Sequence, residues 1–219
     1  DGLRCELALF DNAKGIIAIE NNKPDAIAHL SDLVRACGDA RLSVCPLKTK
    51  YPQGGERMLI RAVTGRYLNS RLLPADRGCI VMNVASVLAA YGAISCGRPL
   101  THCIMTVTGD AVSSPCNLEV PVGTSYAAVL AEAGGFSAEP EKVISGGPMM
   151  GTALFSLDIP VTKTASSILA LRHDPVALHD ASPCIHCGHC LHACPEKLVT
   201  QLLSAAAEQE QFDVFEKYG

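Results

Sequence analysis

Aromatic residues and positive charge are both scarce in this sequence. It contains no tryptophan, aromatic residues make up 5% of it, and 18 Lys and Arg stand against 22 Asp and Glu for a net charge of −4. Nucleic-acid binding needs a basic surface, and single-strand binding usually adds exposed aromatic rings. The composition therefore argues against nucleic acid as a partner. Hydrophobic residues amount to 48%, which excludes a disordered chain.

Targeting and membrane signals are also missing. The N-terminus has neither the basic start nor the apolar core of a secretory signal peptide. The longest uncharged stretch, 78–97, has the length of a membrane span, but Asn83 and Gly92 interrupt it. We interpret it as a buried strand followed by a buried helix. The sequence has no initiator Met and opens inside an amphipathic helical pattern, so we expect a fragment of a longer protein.

Strand-like and helical patterns alternate in the first part of the chain. Strands are predicted at 15–20, 41–47 and 79–82, each followed by a helical pattern. This order predicts a parallel α/β sheet, in which ligands bind beyond the carboxyl ends of the strands. Those ends are Asn21-Asn22, the loop 51–56, and Asn83. We assign residues 1–98 to this α/β domain.

The pattern changes near Pro99. Strand-like runs at 103–108 and 118–122 are joined by a turn-rich loop and predict an antiparallel hairpin. One helical segment and further short strands follow, the last at 168–171, which fits a β-grasp-like module over 99–172. The remainder, 173–219, contains a cysteine run and a helix predicted at 196–211.

Cysteine carries the most information about chemistry. Of 11 cysteines, seven are scattered, and we interpret these as small buried hydrophobic residues in a reducing compartment. The other four, Cys184, Cys187, Cys190 and Cys194, have the x2, x2, x3 spacing of a bacterial ferredoxin run and precede Pro195. Such thiolates ligate a [4Fe-4S] cluster, and the fourth can ligate a second cluster. Zinc is the alternative, although zinc sites usually pair two separated CxxC knuckles.

Several other residues allow both a structural and a functional interpretation. His186, His189 and His192 interleave the cysteines and are expected to be solvated loop residues, with metal ligation as the alternative. Met149 and Met150 are expected to be a buried core pair rather than a cofactor pocket lining. Glu56 either stabilises a helix N-terminus or faces a nucleotide. Asn83 is a candidate helix N-cap, which is compatible with ligand contact.

Several motifs together resemble one family. These are Lys50 to Glu56 (KYPQGGE), Leu73 to Asp76 (LPAD), Thr106 to Asp110 (TVTGD), Val120 to Thr124 (VPVGT) and Gly146 to Gly151 (GGPMMG), followed by the ferredoxin run. In this combination and order the chain resembles the RnfC subunits of Rnf electron transport complexes. That family is related to the NADH-binding flavoprotein subunit of respiratory complex I.

The resemblance implies a fold and a set of site residues. It implies the C-terminal half of an FMN- and NADH-binding α/β domain, an SLBB β-grasp module, and a helical segment with ferredoxin-type clusters. Tyr51, Gly54, Gly55 and Glu56 match the family loop beside flavin and nicotinamide, and Asn83 matches an asparagine that contacts FMN. Cys184, Cys187 and Cys190 match ligands of a first cluster, and Cys194 matches a ligand of a second.

The resemblance also implies a function. The full-length family protein is an NADH/ferredoxin oxidoreductase subunit that passes electrons between NAD(H), FMN and [4Fe-4S] clusters. Its partners are the other Rnf subunits and ferredoxin-like carriers, and it is peripheral at the cytoplasmic face of the membrane. The upstream glycine-rich loop and a second cysteine run are absent from this sequence, so we expect no activity from this chain alone. Two alternatives remain: a soluble flavin/iron-sulfur reductase for cobalamin or proline reduction, and a non-catalytic zinc-binding docking module.

Overall fold

A computed structural model describes residues 1–69, 71–174, 176–180, 182–194 and 198–218. It divides into two compact units, 1–178 and 179–219. The first unit contains all the strands of the described residues, in a parallel pair and a mixed sheet, and the second contains short helices. The predicted α/β class is confirmed.

The parallel pair is built from the two predicted strands that flank the first long helix. β1 (Gly15–Glu20) pairs with β2 (Leu42–Leu47), with Gly15 opposite Leu42 and Glu20 opposite Leu47. The crossover between them is α2 (Pro24–Cys37), which starts with proline in its first turn and ends at Gly38 with φ 66°. A short α1 (Gly2–Leu7) precedes β1, and α3 (Glu56–Thr64) follows β2.

The third predicted strand does not form. Cys79–Met82 has no ladder partner among the described residues, and Ile80 is 67% exposed. An extended segment becomes a strand only when a neighbouring strand satisfies its N–H and C=O groups. The following helix, α4 (Val84–Cys96), is present but has no buried residue, with Ile94 72% exposed. The expectation of a buried strand and a buried helix is therefore wrong in both parts.

The second sheet has five strands in the order β4-β3-β7-β5-β6. These strands are β3 (His102–Thr108), β4 (Cys116–Pro121), β5 (Lys142–Ser145), β6 (Thr152–Ala153) and β7 (Ser167–Leu171). The predicted hairpin is confirmed, since β3 and β4 are antiparallel with Met105 opposite Leu118. β3 and β7 are parallel, and the remaining pairs are antiparallel.

The main hydrophobic core of the described residues belongs to this second sheet. Alternate residues of two neighbouring interior strands are fully buried: Met105 and Val107 on β3, and Ile168 and Ala170 on β7. The helix α5 (Tyr126–Glu132) contributes Val129 and Leu130 to the same core. Each of the larger side chains, such as Met105 and Ile168, contributes about 1.5–3 kcal/mol through burial. This packing holds the β-grasp-like module together.

The second unit contains three helices in its described residues. They are α6 (His189–Ala193), α7 (Thr200–Glu208) and α8 (Phe212–Tyr218). The single helix predicted at 196–211 is therefore shorter and is followed by another, and its predicted start at Glu196 lies outside the described residues, as does Pro195. Within the described ranges, no helix is both long and apolar enough to cross a membrane.

Two burial expectations are wrong. Among the seven scattered cysteines, Cys37 and Cys96 are exposed and the other five are only partly buried. Met149 and Met150 are 69% and 86% exposed rather than a core pair. They lie in the turn segment before β6, a strand of two residues, and the short edge offers too little surface to cover them.

Candidate functional site

The carboxyl ends of β1 and β2 are tied together by side chains. Asn21 Oδ1 accepts hydrogen bonds from the Thr49 N–H at 3.1 Å and from Thr49 Oγ1 at 2.8 Å. The Lys50 N–H donates to Glu20 Oε1 at 3.4 Å. Parallel strands place their carboxyl ends at one edge, so loop 48–55 starts where a ligand is expected in this fold.

The backbone of the loop does not require glycine at either of its two glycine positions. Neither Gly54 nor Gly55 has a positive φ, so an alanine could adopt either backbone conformation. A Cβ at Gly54 would meet no atom within 4 Å, and one at Gly55 would meet only ordinary contacts, the nearest being Pro52 O at 3.5 Å. The surface above them is open, and a methyl group would occupy space that a ligand can use.

The loop leads directly into the N-terminus of α3. Its N-cap is Gly55, which has no side chain to bind the free N–H groups of the first turn. Glu56 is exposed in that first turn, where the helix dipole favours a negative charge. The helix-stabilising reading of Glu56 fits this position, and contact with a nucleotide stays a prediction. Tyr51 is 65% exposed at the start of the loop.

Gln53 is a residue of the loop that sequence reasoning missed. It is 4% exposed, and its Oε1 has no hydrogen-bond partner in the described part of the chain. Its backbone N–H donates to Lys50 O at 3.0 Å, which closes a tight turn. Burying an unpaired amide oxygen is costly, so such an atom points to a missing donor. In the sequence, the one feature that could have pointed to Gln53 is its position within the loop that was predicted to bind a ligand.

Asn83 lies at the start of α4. Its Oδ1 accepts a hydrogen bond from the Ala85 N–H at 2.9 Å, and its backbone is extended with φ −71° and ψ 143°. The N-cap reading is confirmed. The side chain is exposed, so the cap does not prevent contact with a ligand.

The four clustered cysteines lie in the second unit. Cys184, Cys187 and Cys190 are exposed and Cys194 is partly buried, and all four thiols are free. The chain turns sharply between them, with His186 at φ 54° and Gly188 at φ 74°. The His186 N–H donates to Cys184 Sγ at 3.4 Å, and the Cys190 thiol donates to Gln201 Oε1 at 3.5 Å. The backbone thus directs one amide at the sulfur of Cys184.

The thiols do not converge on one point. Within the described ranges, no group of three or more His, Cys, Asp or Glu side chains could hold a single metal ion as arranged. His186, His189 and His192 are exposed as expected, but His189 and His192 lie in α6 rather than in a loop.

Family models match two segments of the chain. Residues 1–92 match the Nuo51 FMN-binding domain, and residues 104–153 match the SLBB domain. The chain is also 43% identical over 213 residues to the C subunit of the Na(+)-translocating ferredoxin:NAD(+) oxidoreductase complex of Acetobacterium woodii. Over nearly its whole length the chain is similar to this C subunit. The resemblance read from the sequence motifs is therefore confirmed.

Other C subunits give the same result. The chain is 40% identical over 211 residues to the C subunit of the proton-translocating ferredoxin:NAD(+) oxidoreductase complex of Clostridium ljungdahlii, and 38% identical over 190 residues to that of the ion-translocating oxidoreductase complex of Rhodobacter capsulatus. These matches cover 97%, 96% and 86% of this chain for the Acetobacterium, Clostridium and Rhodobacter proteins. They span 47%, 46% and 36% of those C subunits, so the chain has at most about half their length.

Proposed function

We propose that this chain is an electron-transfer part of an ion-translocating ferredoxin:NAD+ oxidoreductase and passes electrons between NAD(H), FMN and [4Fe-4S] clusters. The observation that carries the proposal is 43% identity, over 97% of the chain, to a C subunit named for this activity. The match of residues 1–92 to an FMN-binding domain agrees with it.

The loop after β2 offers the features that a flavin mononucleotide or nicotinamide site needs. We assign Tyr51, Gly54, Gly55, Glu56 and Asn83 to this site. The open surface over Gly54 admits a planar ring, and the exposed Tyr51 ring can stack on one. The uncapped N-terminus of α3 presents N–H donors to carbonyl or phosphate oxygens. When bound, FMN links two-electron hydride chemistry to one-electron transfer.

The cysteine run offers the donor set of an iron–sulfur cluster. We assign Cys184, Cys187 and Cys190 to a first [4Fe-4S] cluster and Cys194 to a second. Four free soft thiols at this spacing suit iron, and exposure leaves three of them accessible for ligation. The N–H of His186, directed at Cys184 Sγ, stabilises negative charge on that sulfur.

We place the protein among the other subunits of such a complex. Its electron partners are ferredoxin-like carriers, and its location is the cytoplasmic face of the membrane, held there by partner subunits. The names of the similar proteins, which are subunits of ion-translocating complexes, support the assignment to such a complex.

Cofactor analysis of the protein as its gene encodes it tests the proposal. Purified without oxygen, it should contain FMN and acid-labile sulfide with matching iron, and NADH should bleach the flavin absorbance. A protein that contains zinc in place of iron and sulfide would favour the docking-module alternative. A protein with flavin and iron that reduces a cobalamin, but not ferredoxin, would favour the soluble reductase.

A further inference from the structure

Gln53 has a buried hydrogen-bond acceptor that no donor reaches. Its side chain is 4% exposed, and Oε1 is the one buried side-chain N or O atom without a hydrogen-bond partner in the described ranges. Buried polar groups in folded proteins are nearly always paired, and each exception needs an explanation. Gln53 directly precedes Gly54, where the surface at the Cβ position is open, so a ligand that binds there and draws the Gln53 side chain toward it would give Oε1 a partner.

The groups around Gln53 indicate which hydrogen-bonding groups that ligand should carry. The α3 N-terminus, which starts within three residues of Gln53, offers N–H donors without a side-chain cap. The site therefore combines one acceptor with several donors. This pattern is complementary to a planar edge that carries an N–H beside a carbonyl oxygen.

We propose that Gln53 is a recognition residue whose Oε1 accepts a hydrogen bond from the N–H of an imide or amide edge of the bound cofactor. The inference rests on the proposed function and names the chemistry that the site selects. Two groups share this chemistry: the imide edge of the flavin ring, with N3–H between two carbonyls, and the carboxamide of nicotinamide. A ligand that lacks the N–H leaves Oε1 unpaired, as it is in the free chain, and so does not gain the hydrogen bond that the parent ligand forms.

Cofactor analogues test the proposal in the protein as its gene encodes it. FMN is compared with N3-methyl-FMN, and NADH with reduced 3-acetylpyridine adenine dinucleotide, in the unaltered protein, Gln53→Leu and Gln53→Ala. In the unaltered protein, the analogue without the N–H should bind roughly 10-fold more weakly than its parent. In both variants the parent and analogue should bind with similar affinity, because the acceptor is gone and Ala leaves room for the methyl group.

The affected analogue identifies the partner. Sensitivity to N3 methylation assigns Gln53 to the flavin, and sensitivity to the acetylpyridine analogue assigns it to nicotinamide. Equal binding of parent and analogue in the unaltered protein, for both pairs, overturns the proposal. An unaltered protein that binds no FMN at all overturns the proposed function as well, which separates the two failures.

Thermal unfolding distinguishes recognition from a structural role. Without cofactor, Gln53→Leu should leave the melting temperature unchanged or higher, since it removes an unpaired buried oxygen. Gln209→Leu, at an exposed position after α7, is the matched control and should change neither melting nor binding. A clear loss of cofactor-free stability in Gln53→Leu alone would overturn the proposal, because it would give Oε1 a structural partner.

Discussion

At the scale of single residues, two positions hold glycine for different physical reasons. Gly109 has φ 118°, and a Cβ there would overlap the backbone oxygen of Ala170. Gly54 has neither a positive φ nor a neighbour within 4 Å of its Cβ position. The fold requires the first glycine, whereas only a ligand would require the second.

We expect Gly109→Ala and Gly54→Ala to differ sharply in stability. Gly109→Ala should cost more than about 3 kcal/mol, since strain and overlap both act on the packed strand β7. Gly54→Ala should be neutral or stabilising by up to about 1 kcal/mol through the unfolded state. Denaturant unfolding measures both, and FMN binding by Gly54→Ala should still fall. Strong destabilisation by Gly54→Ala would contradict its assignment as a ligand-facing position.

Asn83 combines a cap with a proposed flavin contact, and two variants separate them. Asn83→Ala removes the acceptor for the Ala85 N–H and should cost about 1 kcal/mol. Asn83→Asp keeps a cap oxygen at the same place and should preserve stability, while it loses the amide donor and adds charge near the cofactor. The expected result is normal unfolding of Asn83→Asp with weakened FMN binding. Unchanged FMN binding would leave Asn83 as a cap alone.

At the scale of one element, buried and exposed side chains alternate along β3, and only the buried face contributes to the core. Met105 is fully buried, and its neighbour Ile104 is 65% exposed because successive side chains point to opposite faces. Met105→Ala should therefore cost about 2–5 kcal/mol through a lost contact surface and a cavity. Ile104→Ala, the adjacent control, should cost less than about 0.5 kcal/mol. Equal costs in denaturant titrations would contradict this strand register.

The ends of β5 and β7 are joined by a cluster of charged groups. The Asp174 N–H donates to Glu141 Oε2 at 2.7 Å, His173 Nδ1 lies 3.2 Å from Glu141 Oε1, and Lys142 pairs with Asp174. The backbone N–H of Asp174, with His173, holds the pKa of Glu141 below its ordinary value. The Lys142 ammonium similarly lowers the pKa of Asp174.

This cluster predicts a loss of stability in acid. A carboxyl whose folded-state pKa is lowered stabilises the fold above its unfolded pKa, and that contribution disappears as pH falls through the folded pKa. The free energy of unfolding should therefore decrease between about pH 5 and pH 3. Glu141→Gln with Asp174→Asn should flatten this part of the profile, whereas Glu139→Gln, at an exposed neighbouring position, should not. An unaltered slope in the double variant would contradict the assignment.

Eleven free cysteines in the whole molecule allow a matched test of the cluster ligands. Cys187 and Cys96 are both exposed, but only Cys187 has ferredoxin spacing to its neighbours. In anaerobically purified protein as its gene encodes it, Cys187→Ala should lose most of the iron and sulfide of one cluster, about four of each. Cys96→Ala should keep the full content. Equal iron in both variants would remove Cys187 from the ligand set.

Local signals predicted much of the secondary structure. β1 has the bounds that its apolar run predicts, α2 ends at the predicted Gly38, and the hairpin of β3 and β4 pairs as expected. Side-chain period, proline in a first helical turn and glycine at a C-cap act over a few residues, so the sequence alone reveals them. β6, with two residues, was missed because it is too short to have a period.

Burial and pairing required the tertiary structure. Cys79–Met82 reads as a strand but finds no partner in the described residues. The apolar helix α4 has no buried residue, and Met149 and Met150 stay exposed. The seven scattered cysteines were expected inside and are not buried. Apolar composition permits burial, but only contacts between segments distant in sequence determine which side chains are covered.

In the candidate site, too, some features could be predicted from the sequence and others required the tertiary structure. The sequence by itself determined the cysteine spacing and the loop Tyr51–Glu56, because a ligand run and a loop before a helix are written in consecutive residues. Only the tertiary structure decided that loop 48–55 is bound to the end of β1 through Asn21, and that Gln53 is buried without a partner. The first fact depends on groups brought together across the parallel pair, and no local pattern encodes which polar atom is left unpaired in the folded chain.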